Sequence, residues 1–513
     1  NFNRFWNRDR ESIRRRRQDG SVSVRGLTEK IDEAAEATVN SNLDRFPPLV
    51  VYTCLAGAQQ ALAASALLST QMCAPATSEI LTMPRRTFGT RPIEVLSPTS
   101  RTVYNALVAV LGDSLVKPTR GHDAWEAHRE FGRVGTHEYV VELDFASCYE
   151  LLNHEDLREE LLLRSLDFAA VGALMDLLAG VGHRGRGLPQ MLAPSDRLAD
   201  TYLSVIDREM ARTGYRANRF ADDVRVLAGD WESANAVIEH VAEVGRGLGL
   251  ILSSEKTKIW LTETLRQQED RREAALVESF SDAADELTEL VFDPYGDVVD
   301  ILAPDRDSVL VTASKRVLEA WAEAFGDDSE SAQRLRVTLK PHVSFALSVL
   351  GRQSATLNGD LLDDLIFDDE TRLQSVCRYV VDLHRTGSTK DARQLLSRLT
   401  MRQRQSPWGK LWVLSAAESF GYGPRSISKE TRIWLSRQLQ DGHEVVRAQA
   451  AWLLACRGAL TDAELERSYR KATEVSAHAL AAAAAKQSNL PTGLVAAIRD
   501  ENGLNLEAYR WAL

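Results

Sequence analysis

RFADDVRVLA, residues 219–228, sets two aspartates side by side between apolar runs. The flanking residues favour extended structure, so the stretch predicts two short strands around a tight turn. Adjacent like charges repel, and burying them is costly unless something neutralises them. These ten residues alone leave two readings open. One is a surface turn, where Asp is common. The other is a carboxylate site for a divalent cation. Side chains alternate along a strand, so Asp222 and Asp223 have different roles. Asp222 is the stronger candidate ligand and Asp223 the supporting one.

A partner acid stands upstream. EYVVELDF, residues 138–145, is a β-branched run that ends on Asp144. Alone, such an acid reads as a cap or turn residue. If its strand lies beside the Asp222 hairpin, two carboxylates meet at strand ends. Hard oxygen donors so placed suit Mg²⁺ or Mn²⁺, and two such ions serve phosphoryl transfer.

Three further segments surround these acids. MPRRTFGTRPIEVLSP, residues 83–98, predicts a hairpin whose Arg85, Arg86 and Arg91 either face solvent or grip phosphate oxygens. HRGRGLPQ, residues 183–190, reads as a Gly/Pro loop. LGLILSSEKTKI, residues 248–259, reads as a helix end followed by a strand carrying Lys256. That lysine is either surface charge or a group that neutralises or protonates a leaving pyrophosphate.

Composition sets the frame. The 513 residues, 44 % hydrophobic and 26 % charged, fit a globular chain of several domains. Net charge is −11, so no global signal points to a polyanion. The charge is uneven: residues 1–120 hold 16 Lys+Arg and 11 Asp+Glu, a local +5 that leaves −16 for the rest. A basic front permits a polyanionic partner. Arg14–Arg17 either touch phosphates or form a solvated helix face. Five cysteines, none in a C-x-x-C pair, argue against a disulfide framework or a zinc ribbon and fit a cytoplasmic chain. The polar, Arg-rich start does not read as a signal peptide. Residues 49–69, the longest apolar run, contain Gln59 and Gln60 and read as a buried helix rather than a membrane span.

Four regions follow from these patterns. Residues 1–45 form a basic N-terminal arm or helix. Residues 46–265 mix strand and helix signals, as α+β structure with a small sheet does. Residues 266–309 are an acidic connector. In residues 310–513 strand signals nearly vanish and short amphipathic helices, many ending at Gly, follow one another. Stacked helical hairpins are their natural packing, although no strict repeat is visible.

The order of the motifs is more specific than any one of them. An Arg hairpin, an acid-ended strand, a GLPQ loop, an aromatic-Ala-Asp-Asp turn and a Lys-Thr segment follow one another over residues 80–260. This resembles the fingers and palm of reverse transcriptases. The resemblance implies metal ligands at Asp144, the Phe145 carbonyl, Asp222 and Asp223, with Lys256 assisting. It implies Arg85, Arg86, Arg91, Tyr149 and Gln190 around the incoming nucleotide, Tyr149 as the gate against a ribose 2′-hydroxyl. Three departures stand out. The family pattern follows GLPQ with Gly, where this chain has Met191, and Asp200 stands where Asn is common. No Phe-Leu-Gly primer grip follows KTKIW.

A reverse-transcriptase palm joined to a long helical C-terminus resembles the bacterial abortive-infection, or defence-associated, enzymes of the AbiA/AbiK type. That resemblance implies antiphage defence, a HEAT-like helical domain, a homo-oligomer, and untemplated DNA synthesis from dNTPs primed by a protein hydroxyl. The product would then be covalently attached DNA. Tyr422 and Tyr52 are the candidate priming residues. Two alternatives remain: an RNA-templated reverse transcriptase with a helical partner-binding domain, and a non-catalytic nucleic-acid-binding scaffold.

Overall fold

The computed structural model describes residues 24–86, 89–117, 120–133, 135, 137–181, 185–268, 289–292, 298–302, 307–423, 425–487 and 492–513. The Arg14–Arg17 run and most of the acidic connector lie outside these residues.

Two sheets position the site. Strands β1 (Ser78–Pro84) and β2 (Thr90–Leu96) form an antiparallel hairpin, as the MPRRTFGTRP pattern predicts. Strands β3 (Tyr139–Asp144), β4 (Arg216–Phe220), β5 (Asp223–Ala228) and β6 (Lys258–Leu261) form a second sheet in the order β4-β5-β3-β6. The β-branched β3 is central and pairs antiparallel with β5 and β6. Phe220 pairs with Asp223, so the β4–β5 loop is only Ala221 and Asp222. Ala221 has φ 55°, the left-handed conformation that two-residue hairpin loops require at their first position.

Helices hold this sheet. The helix Trp231–Gly247 starts with an Asp230–Ser233 capping box and packs on β3 and β5. A Cβ on its Gly245 would lie 2.8 Å from the Phe145 ring, so only Gly admits that approach. The helix Ala193–Arg212 has Pro194 in its first turn and runs beside β4. Beneath the hairpin, Ser97 caps the almost wholly buried helix Pro98–Val110.

From residue 307 onward every described element is a helix or a short 3₁₀ turn. Alternate helices stack on one another: Glu330–Arg352, Leu373–Arg385, Pro407–Ser419, Glu444–Cys456, Ala477–Ala485 and Gly503–Ala512. Gly387, Gly421 and Gly458 follow three of the array's helices with positive φ, the helix-stop chemistry that the sequence suggests.

The helical array folds back onto the first half of the chain. The Glu79 carboxylate on β1 accepts hydrogen bonds from the Glu444 and Val445 amides at 2.6 and 2.9 Å, capping the helix Glu444–Cys456. Gln449 Oε1 accepts from the Val50 amide at 2.9 Å, and His478 Nε2 bonds the Val51 carbonyl at 2.6 Å. The indoles of Trp408 and Trp412 both donate to the Arg45 carbonyl, at 2.7 and 3.1 Å.

Three expectations need correction. Residues 49–69 do not form one helix: a short Val50–Thr53 helix precedes Gln59–Gln71, with Gly57 at φ 85° between them. The connector contains a small antiparallel pair, β7 (Glu289–Phe292) and β8 (Val298–Leu302). Lys256 lies in the turn before β6 rather than on the strand. All five cysteines are free thiols. Among the described residues no helix is long and apolar enough to cross a membrane.

Candidate active site

Strand register brings the acids together. Asp144, the last residue of β3, pairs directly with Asp223, the first of β5. Asp222 occupies the adjoining turn. Asp144 is 4 % exposed, and its two partners are half-buried. The ladder partner of Asp144 is thus Asp223, and Asp222 approaches from the loop.

The electrostatics are those of crowded like charges. Burial, and then the Asp144 charge, push the Asp222 carboxyl above the usual carboxylate range. Burial and the charges of Asp222 and Asp144 push Asp223 up to about 8. Lys256 Nζ donates to Asp144 Oδ1 at 2.7 Å. Burial opposes the ammonium charge, but the bond to Asp144 and the neighbouring acids outweigh it and hold the lysine above its ordinary value.

Three hard-oxygen donors under mutual repulsion fit a divalent cation, which would relieve that repulsion and accept oxygen ligands. Asp144 and Asp222 would hold it, with Asp223 and the Phe145 carbonyl beside them. Asp144 Oδ1 accepts the Lys256 ammonium at the same place. Among the described residues no cluster of three or more His, Cys, Asp or Glu side chains stands ready as a metal cage.

The chain beyond Asp144 is pinned on both sides. The Asp144 carbonyl accepts from the Ser253 amide at 2.7 Å, and the Ala146 amide donates to Ile251 at 2.8 Å. Phe145 is 1 % exposed. Its ring is clamped against Gly245, and its main chain forms an antiparallel bridge with Leu252. The helix Cys148–Leu151 follows at once and carries Tyr149.

The GLPQ loop zips against that helix. Gly187 N donates to the Leu152 carbonyl at 2.8 Å and Leu188 N to the Tyr149 carbonyl at 2.9 Å. Gly187, at φ 86°, lies so close that a Cβ would meet the Tyr149 and Glu150 carbonyls at 3.4 Å. Gln190, 6 % exposed, donates from Nε2 to the Pro92 carbonyl of β2 at 3.1 Å. Met191, at the place where the family pattern has Gly, takes φ 64°. A non-glycine residue in this left-handed conformation carries a strain of about 1 kcal/mol.

The hairpin cations are placed differently from one another. Arg85 reaches across to Ser147 Oγ at 3.2 Å and Glu150 Oε1 at 3.0 Å. Arg86 and Arg91 are half-buried, and Arg91 pairs with Met83 in the hairpin register. The two tyrosines considered for priming are not at this site. Tyr52 is 3 % exposed and donates to the Leu96 carbonyl at 3.2 Å. Tyr422 is 42 % exposed and donates to Glu418 at 3.1 Å among helical-array neighbours. Burial and the Glu418 charge push its hydroxyl pKa well up.

Several residues around the site had no assignment from the sequence. Arg120, Asp196, Asp200 and Arg219 form a charged network beside Tyr149, with side chains buried at Asp200 and Arg219 and half-buried at Arg120 and Asp196. Asp196 and Asp200 lie four apart on one helix, a spacing that places both on one face. Glu94 on β2 is 9 % exposed, bonds the Gln190 main chain and leaves Oε2 buried without a partner. Burial pushes its carboxyl up to about 7.

The reverse transcriptase (RNA-dependent DNA polymerase) family profile matches residues 84–288, from the end of β1 to the residue before β7. A reverse transcriptase domain is therefore present, and the sheet bearing Asp144 and Asp222 lies inside it. Domains of this family are polymerases that use divalent metal ions. No curated protein sequence matches the chain. Among solved structures, apo telomerase from Candida tropicalis is similar at 12 % identity and TM-score 0.28, over 66 % of this chain and 69 % of that one. Telomerase from Candida albicans, in complex with a TWJ fragment of telomeric RNA, is similar at 12 % identity and TM-score 0.29, over 70 % and 65 %.

Proposed function

We propose that the chain is an antiphage-defence DNA polymerase that adds dNTPs without a template and starts from a protein hydroxyl. The observation that carries the chemistry is the register pairing of Asp144 with Asp223, with Asp222 in the loop between β4 and β5. When bound, two divalent ions supply activation of the attacking hydroxyl and stabilisation of the leaving pyrophosphate. Asp144 and Asp222 would hold them, with Asp223 in support. Lys256, an ammonium hydrogen-bonded to Asp144, is the donor best placed to neutralise or protonate pyrophosphate. Arg85, Arg86 and Arg91 draw the triphosphate toward the hairpin. Tyr149 stands against the sugar, and Gln190 fixes the loop beneath the nucleotide.

The untemplated branch is supported by the surroundings of Gln190. Met191 puts a bulky, adaptable side chain beside a surface that usually meets nucleotide and template. The stacked C-terminal helices, read as HEAT-like, would shape the product path in a homo-oligomer. Burial of the Tyr52 hydroxyl and its bond to the Leu96 carbonyl favour another residue as primer.

Purified protein given dNTPs and Mg²⁺, with no nucleic acid, is expected to yield DNA that migrates with protein after denaturation. Nuclease digestion and mass spectrometry of a nucleotide-bearing peptide would identify the primer. Extension only on an added RNA template and primer would replace this reading with the RNA-templated one. Unchanged polymerisation and unchanged phage resistance in Asp222→Ala would replace it with a non-catalytic scaffold.

A further inference from the structure

Tyr149 is held at its hydroxyl and over its ring by charged groups. The hydroxyl donates to Asp196 Oδ1. Arg120 lies across the ring with its guanidinium carbon 5.7 Å from the centroid, and its Nη1 is 3.2 Å from the same Asp196 oxygen. From there Arg120 Nε reaches Asp200 Oδ2 at 3.2 Å. Asp200, with no exposed surface, meets Arg219 Nη1 at 2.9 Å. That same Arg219 nitrogen donates to the Ala221 carbonyl at 2.8 Å. A continuous run of charge-assisted bonds thus leads from the Tyr149 ring to the turn that carries Asp222.

Packing alone does not call for this arrangement. Tyr149 lies against the hydrophobic core, where a phenylalanine would bury the same ring. Placing ionised Asp196 and Arg120 beside it adds desolvation that a plain aromatic would avoid. What the anchor adds is immobility. A half-buried aromatic ring can move between rotamers, whereas one tied at its far end by a charge-assisted bond is held in place. Discrimination by contact with one hydroxyl depends on such fixed placement, because a ring that yields admits the larger sugar.

We propose that Asp196, with Arg120 as its counter-ion, is a positioning residue for sugar selection, fixing the Tyr149 ring where a ribose 2′-hydroxyl would have to fit. The inference rests on the proposed placement of Tyr149 beside the incoming sugar. Asp196 does not touch the nucleotide in this scheme and acts through Tyr149.

The test compares steady-state incorporation of dNTPs and rNTPs by the full chain and its variants. Tyr149→Phe and Asp196→Ala are each expected to lower the deoxy-over-ribo preference by about tenfold, seen as a fall in the ribonucleotide KM. The double variant should lose no more than either single one, because both remove the same bond. Asp196→Asn keeps an oxygen acceptor and should recover most of the preference. A merely structural role for Asp196 would slow both sugars alike and leave their ratio unchanged, which overturns the inference. If Tyr149→Ala leaves the ratio at its parent value, the placement of Tyr149 beside the sugar falls. If Tyr149→Ala relaxes the ratio while Tyr149→Phe and Asp196→Ala do not, only the anchoring role falls. Should Asp196→Ala fail to fold, Tyr149→Phe, which removes a single oxygen, decides alone.

Discussion

Replacing Asp200 by Asn tests whether the buried network or the family's usual residue governs this helix. Asn is the residue that the reverse-transcriptase resemblance leads one to expect at this position. The structure argues the opposite. Asp200 has no exposed surface and receives Arg120 and Arg219 at 3.2 and 2.9 Å. A hydrogen bond to an ionised partner contributes about 1.5–3 kcal/mol and a neutral one about 0.5–1.5 kcal/mol. Neutralising the acceptor therefore removes about 1–1.5 kcal/mol per bond. The new amide NH₂ would also face a guanidinium, donor against donor. Removing one member of a buried pair costs about 3–5 kcal/mol when the remaining charge has no other partner. Here Arg219 keeps Asp207 at 2.7 Å and Arg120 keeps Asp196 at 3.2 Å, which moderates the loss. The expected destabilisation is about 3 kcal/mol. Urea unfolding followed by hydrogen exchange in peptides covering β4 and β5 would measure it. A change below about 0.5 kcal/mol, within the scatter of ordinary surface substitutions, would refute the view that these ion pairs hold the turn.

Four further outcomes are expected. Asp222→Asn should lower metal-dependent nucleotide transfer by about 10³-fold, at the strong end for losing one electrostatic group, as read in a primer-independent dNTP assay. In metal-free protein the same change should raise the unfolding midpoint, because it relieves repulsion from Asp144; a lowered midpoint would contradict the crowded-charge reading. Lys256→Met should slow turnover by about 10²-fold, measured under saturating dNTP, and a wild-type rate would remove its role toward pyrophosphate. Burial depresses His128 to about 4, despite its bond to Asn218, so the unfolded chain takes up a proton that the folded one refuses between about 6.5 and 4. Its stability contribution should be complete above pH 6.5 and decline as pH falls toward 4, and His128→Gln should flatten that part of a urea-midpoint profile.

What was legible in the sequence was local. The β3 run, the two-residue Ala221–Asp222 loop, the Arg-rich hairpin and the GLPQ loop each carry their own pattern within ten or so residues. The pairing of Asp144 with Asp223 was not legible, because register depends on how two distant strands slide past one another. The Arg120–Asp200 contact spans 80 residues and the Glu79–Glu444 cap 365, so no window along the chain contains both partners. Lys256 was displaced from its expected strand by the Ser253 turn, whose amide is captured by the Asp144 carbonyl. The run at 49–69 misled because composition alone does not reveal the break at Gly57.

The capping of the Glu444–Cys456 helix by Glu79 has a consequence for how the two halves depend on each other. Their union is noncovalent as well as covalent: it also rests on Val50 with Gln449, Val51 with His478, and Arg45 with two tryptophans. Residues 24–268 and 289–513 produced as two separate polypeptides should therefore elute together when mixed. The same bonds tie the β1–β2 hairpin to the helical array, while Arg85 and Gln190 tie it to the segment after Asp144 and to the GLPQ loop, so the hairpin bridges the helical half and the sheet that bears the acids.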